Sequence, residues 1–99
     1  MKTKSKENQQ KTVSYKFEGK RYDCRIVKDK DGDELVIAST KFLDALQPGS
    51  FDDENDGFAS KEAEMLYDNV FYFTDEDNLK LSDRELIEIL KQDNKEWFN

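Results

Sequence analysis

The 99-residue sequence contains no histidine. That removes the side chain best suited to proton transfer near neutrality, the commonest metal ligand, and every Ser-His or Cys-His nucleophile pair. It contains one cysteine, Cys24, so neither an intrachain disulfide nor a thiolate zinc cluster can form. A small domain without a disulfide fits a reducing compartment, and the expected location is the cytoplasm. Apolar residues make up 35% of the chain, against the roughly 45–50% usual for globular domains with glycine included. No stretch approaches the ~20 apolar residues of a membrane span. The opening MKTKSKENQQK has charge but no apolar run, so it does not read as a secretory signal. No glycine-rich phosphate loop follows any predicted strand, and a chain of this size leaves little room for a deep pocket. These absences argue against an enzyme and imply no cofactor.

What is present is charge, unevenly placed. Residues 1–30 carry ten Lys/Arg against four Asp/Glu, a net of +6, whereas residues 31–99 carry six against nineteen, a net of −13. From Asp44 to Asp77 there are eleven carboxylates and one base, Lys61. Such a distribution steers encounters and maintains solubility, but it defines neither a fold nor a reaction.

Residues 1–11 read as a disordered, weakly basic tail, and 12–99 as a single α+β domain. Val13, Tyr15 and Phe17 alternate with Ser14, Lys16 and Glu18. Glu18-Gly19 marks a tight turn, and the alternation resumes as Tyr22, Cys24 and Ile26 against Arg21, Asp23 and Arg25. A turn over Asp29 to Asp33, centred on Asp31-Gly32, leads to the apolar run Leu35 to Ala38. This predicts a three-stranded antiparallel meander.

Ser39 or Thr40 caps a short helix with apolar Phe42, Leu43 and Leu46, which Pro48-Gly49 ends. Ser60 caps a second, with Ala63, Met65, Leu66 and Tyr67 as its apolar residues. Val70 to Thr74 is an aromatic and β-branched run, apolar at 70–73 on both parities, predicting a strand covered on both faces, central or helix-covered. Ser82 and Glu85 form a capping box before the stripe Leu86, Ile87, Ile89 and Leu90. The fold class is α+β: a small antiparallel sheet in the order β-β-β-α-α-β-α, with helices packed on one face.

The acidic groups invite a metal reading, which the spacing does not support. In an EF-hand, Gly occupies loop position six and a bidentate Glu position twelve. Counting from Asp29 puts Gly32 at four and Thr40 at twelve; counting from Val27 puts Val27 and Ala38 at ligand positions. Asp29, Asp31, Asp33 and Glu34 therefore read as a polar hairpin turn. The block Asp52, Asp53, Glu54 and Asp56 lacks the alternation of a cation cage. Cys24 lies on the inward parity of its strand, where cysteine acts as a small hydrophobe. Trp97 and Phe98 either fold back to close the core or serve as a partner handle.

Direct nucleic-acid binding is disfavoured. Tyr15, Phe17 and Tyr22 share parity with the core residues, the opposite strand face carries Lys16, Arg21 and Arg25 beside Glu18 and Asp23, and the net charge of −7 repels phosphate. The expected function is a small acidic, non-catalytic interaction or accessory module whose partner is a basic protein. The candidate surface comprises Phe51, Asp52, Asp53, Glu54, Asp56 and Phe58, with Asp75, Glu76 and Asp77. Two alternatives are a nucleic-acid mimic that occupies the phosphate-binding groove of a DNA- or RNA-binding protein, and a domain binding a cation weakly or a small molecule. The expected state is a monomer or a weak homo-oligomer, in which basic strands of one copy would meet the acidic region of another.

Overall fold

The alternation at Val13, Tyr15 and Phe17 becomes β1 (Thr12–Phe17) in the computed structural model, which describes residues 11–47 and 57–99. A two-residue turn returns the chain into β2 (Lys20–Lys28). Both turn residues have positive φ, 51° at Glu18 and 80° at Gly19, the type I′ geometry whose twist matches that of paired strands. β3 (Glu34–Ser39) completes the antiparallel meander, with Arg25 opposite Ile37 and Val27 opposite Leu35.

Ser39 caps α1 (Thr40–Leu46), its hydroxyl accepting the Lys41 N–H at 2.9 Å. Ser60 does the same for α2 (Lys61–Asp68), accepting from Ala63 N–H at 3.1 Å. The chain then enters β4 (Tyr72–Thr74), a 3-10 helix (Glu76–Lys80), α3 (Asp83–Lys91) and the single turn α4 (Lys95–Phe98). The reciprocal capping box at α3 is formed: Ser82 Oγ accepts the Glu85 N–H, and the Glu85 carboxylate accepts the Ser82 N–H. Pro48-Gly49, read as the stop of α1, lies outside the described residues.

The α+β class and the predicted element order are present in the structure. Three particulars differ. First, the sheet is mixed, because β4 joins β3 in parallel, Ile37 opposite Tyr72 and Ala38 opposite Phe73. Second, the order β1-β2-β3-β4 places β4 at an edge, so its cover on both faces comes from helices, the second of the two predicted alternatives, and not from a central position.

Third, helices cover both faces of the sheet, not one. Successive residues of a strand face opposite sides. Val36 and Ala38 join Phe17, Cys24, Phe42, Leu46 and Ala63 in one cluster, under α1 and α2. Leu35 and Ile37 join Val27, Leu86 and Leu90 in another, under α3. The double-parity run at β4 serves both: Val70 and Phe73 pack on the first cluster, Phe71 and Tyr72 on the second. Complete burial of Leu86 and Leu90 is worth about 1.5–3 kcal/mol each, enough to hold α3 on the sheet. Phe98 packs on the second cluster. Trp97 sets its ring edge-on to Phe71 at 5.3 Å, and its carbonyl accepts the Lys30 N–H at 2.8 Å, so the terminal pair folds back.

The second helical layer changes the role of Arg25. Its alternation put it on an open polar face; α3 and the segment before it cover that face, and Arg25 is 2% exposed. Its guanidinium Nη1 donates to the carbonyls of Leu79 at 2.8 Å and Leu81 at 2.6 Å, while Nη2 bonds the Asp83 carboxylate. One side chain thus ties the β4–α3 connection to the middle of the sheet.

Candidate functional site

The predicted surface divides once placed on this frame. Phe51, Asp52, Asp53, Glu54 and Asp56 lie outside the described residues. Phe58 is half-buried rather than an exposed anchor, its ring 4.8 Å from that of Tyr67, which stacks on Phe73 at 5.4 Å. Asp75, Glu76 and Asp77 are exposed at the entry to the 3-10 helix, whose Leu79 packs on the second cluster while Phe58 packs on the first. No described contact joins Phe58 to this acidic turn.

That turn is partly neutralised. Glu76 pairs with Lys41 at 2.8 Å, and Asp77 lies 4.0 Å from Lys80. The Lys41 hydrogen bond and charge hold the Glu76 carboxyl below its ordinary value and raise the Lys41 ammonium in return. Beside this pair lies an open depression of about 250 Å³, lined by Arg21, Tyr22, Asp23, Ser39, Lys41, Glu76 and Leu79. Its four charged side chains already pair with one another, Arg21 with Asp23 at 3.4 Å and Lys41 with Glu76. Asp23 also accepts from the Ser14 hydroxyl, and these bonds lower its pKa. Its hydroxyls are those of Tyr22 and Ser39, the latter accepting the Lys41 N–H as the cap of α1.

The remaining reactive types are held in structural roles. Cys24 is 1% exposed, and burial pushes its thiol up to about 11, so at neutral pH it is not a thiolate. Among the described residues no three acidic or thiol side chains converge in a way that could hold a metal ion. In the β2–β3 turn the buried Asp29 carboxylate instead accepts the N–H groups of Asp31 and Asp33, each at 2.8 Å, and shapes the loop around Gly32 (φ 88°).

The surface that stands out was read differently in the sequence. Met65 and Tyr67, expected among the inward residues of α2, are exposed, Met65 to 65%. Ala63 is the fully buried anchor of this helix and Leu66 is half-buried, leaving Met65 on the outer side. Around it lie Glu62, Glu64 and Asp68, none in an ion pair among the described residues, with Lys61 as the one base of the helix. On a helix, Glu62 and Asp68 sit three residues to either side of Met65, hence beside it. The signal available in the sequence was the spacing: Met65 lies two residues from Ala63, nearly opposite it on a helical wheel. By contrast α3 and α4 mix signs, with Arg84, Lys91 and Lys95 among their acids.

Comparisons with protein-family models, with curated proteins and with solved structures give no match. No described helix is long and apolar enough to cross a membrane.

Proposed function

We propose that this protein is an acidic, non-catalytic interaction module that docks a basic protein surface through the outer side of α2. The observation that carries this reading is a largely exposed methionine, Met65, set among three carboxylates that form no ion pair among the described residues. Unpaired carboxylates supply long-range attraction and fast encounter, and they exclude acidic partners. Rim charge alone gives weak association, so the apolar contact must come from Met65, whose flexible thioether adapts to irregular surfaces. The buried thiol at Cys24 and the absence of histidine support a role without covalent or acid–base chemistry.

The mimic of nucleic acid requires carboxylates on one continuous face. Those of α2 and those of α3 cover opposite faces of the sheet, so no described feature favours that reading over the first.

The test compares the wild-type chain with the double variant Glu62→Lys, Glu64→Lys and with Met65→Asp, all immobilised at low salt and exposed to extract from the native host. Retention of a basic protein by the wild type, its release as salt rises, and its loss from both variants are the expected results. Equal retention by all three would overturn the assignment of the surface, and retention of acidic proteins only would overturn the charge argument.

A further inference from the structure

Among the described residues the sheet has one long open edge, and its chemistry is opposite to that of α2. The two-residue turn at Glu18-Gly19 makes Phe17 and Lys20 the closing hydrogen-bonded pair of the hairpin. At the other end Ile26 N–H donates to the Lys11 carbonyl at 2.9 Å. Bonded and non-bonded pairs alternate in an antiparallel ladder, so both ends agree. Lys11, Val13, Tyr15 and Phe17 bond to β2, and the N–H and C=O groups of Thr12, Ser14 and Lys16 point away from it. No described residue pairs with them, since β1 ends the sheet order. The opposite edge, β4, is only three residues long.

The side chains along this edge specify what fits. On one face Val13 and Tyr15 are half-buried beside the first cluster, offering apolar contact to a neighbouring strand. On the other face Lys16 sits directly across from Arg21 in a non-bonded pair, where side chains are closest. Arg21 is paired with Asp23, whereas Lys16 has no ion pair among the described residues. Like charges opposite each other in a ladder are unfavourable, and a carboxylate on the next strand relieves them. A lysine on an edge also discourages a second copy, which would bring another Lys16 to the same seam.

We infer that β1 is a strand-addition edge that accepts an extended segment of another protein in which apolar and acidic residues alternate. The apolar positions lie beside Val13 and Tyr15, and an acidic position lies beside Lys16. Main-chain hydrogen bonds to Ser14 and Lys16 supply affinity, and the alternation supplies specificity. This surface is separate from α2 and does not rest on the α2 reading. A protein with both would join a basic partner to an acidic strand.

The probe is a short blocked peptide alternating valine with glutamate, compared with its valine–lysine counterpart, both at millimolar concentration. The readout is amide hydrogen exchange by NMR on the full chain. In the free protein the N–H groups of Ser14 and Lys16 exchange rapidly while those of Tyr15 and Phe17 are protected. The valine–glutamate peptide slows Ser14 and Lys16 by at least about tenfold, and the valine–lysine peptide does not. Ser14→Pro removes an outward N–H and the side-chain bond to Asp23 but leaves the backbone ladder to β2 in place, so it abolishes the protection of Lys16 while leaving Tyr15 slow. Should that variant fail to fold, Lys16→Glu serves instead and reverses the peptide preference.

Three results would overturn the inference. Ser14 and Lys16 already protected in dilute free protein would mean the edge is covered. Protection that appears with protein concentration and no peptide would assign the edge to a second copy. Equal effects of both peptides, or no effect of either, would remove the acidic strand as its occupant.

Discussion

Replacing Arg25 by methionine tests the reading of the second helical layer. Methionine keeps much of the unbranched stem that packs between sheet and α3, but it has no donors. The Leu79 carbonyl, bonded at 2.8 Å in the native chain, would lose its Arg25 donor within half-buried surroundings, and the 2.6 Å bond to the Leu81 carbonyl would go with it. A hydrogen bond from a charged donor contributes about 1.5–3 kcal/mol, and a buried acceptor left alone costs about 1–3 kcal/mol. Relief from burying a guanidinium offsets part of this, and one nitrogen serves both carbonyls, so the net loss is about 2–4 kcal/mol. Domains of this size are stable by about 5–15 kcal/mol, so the variant folds but melts roughly 10–30 °C lower. Urea unfolding followed by circular dichroism and by the fluorescence of the single tryptophan, Trp97, measures it directly. Asp83 is more than half exposed and Asn keeps an oxygen for Nη2, so Asp83→Asn costs less than the methionine variant although it takes the counter-ion from a buried guanidinium. A methionine variant within about 0.5 kcal/mol of wild type, or an asparagine variant as costly as the methionine one, would refute the assignment of Arg25 as the tie between layers.

Glu18 occupies a positive-φ position that favours Asn or Gly, so Glu18→Asn raises stability by about 0.5–1 kcal/mol in the same urea assay. Ser82→Ala removes one half of the capping box and lowers stability by about 0.5–2 kcal/mol, with helical signal lost first at α3. Burial raises the Cys24 thiol to about 11, and the phenols of Tyr15 and Tyr72 are raised as well, by burial and by the hydrogen bond to Asp93 respectively. The native state therefore holds protons that the unfolded chain releases above pH ~9. Stability present below that value falls as pH rises towards 11, and a thermal melt at pH 10 lies below one at pH 8. By the same reasoning a thiol reagent labels Cys24 at pH 8 only as fast as the chain unfolds; rapid native labelling would contradict its burial.

The meander was legible because each of its cues is local: alternation at Val13 to Phe17, glycine at the turns, and parity at Tyr22 to Ile26. The caps at Ser39, Ser60 and Ser82 were legible for the same reason, each lying within three residues of the N–H it receives. Which face a helix covers is not local. Leu35 to Ala38 and Val27 carry apolar residues on both parities, and that was the available sign of a sheet enclosed on two sides; Arg25, on the parity of Val27, disguised it. A guanidinium whose Nη1 donates to backbone carbonyls leaves little pattern in the sequence, because those acceptors belong to residues of any type. Phe58 and Met65 exchanged expectations by a related route: which apolar side chain of a short helix or its lead-in finds room inside depends on Ala63, whose small size brings α2 close.

The parallel seam between β3 and β4 has a kinetic consequence. Every other strand pairing joins strands linked by a short turn, whereas Ile37 meets Tyr72 across a separation in the chain that includes α1 and α2. Closing so long a loop is paid in entropy before any contact returns it, so the hairpins form early and the seam forms late. The slowest step of folding then belongs to the arrival of Tyr72 and Phe73, and substitutions there alter how fast the native state is reached and left more than substitutions at the first turn do.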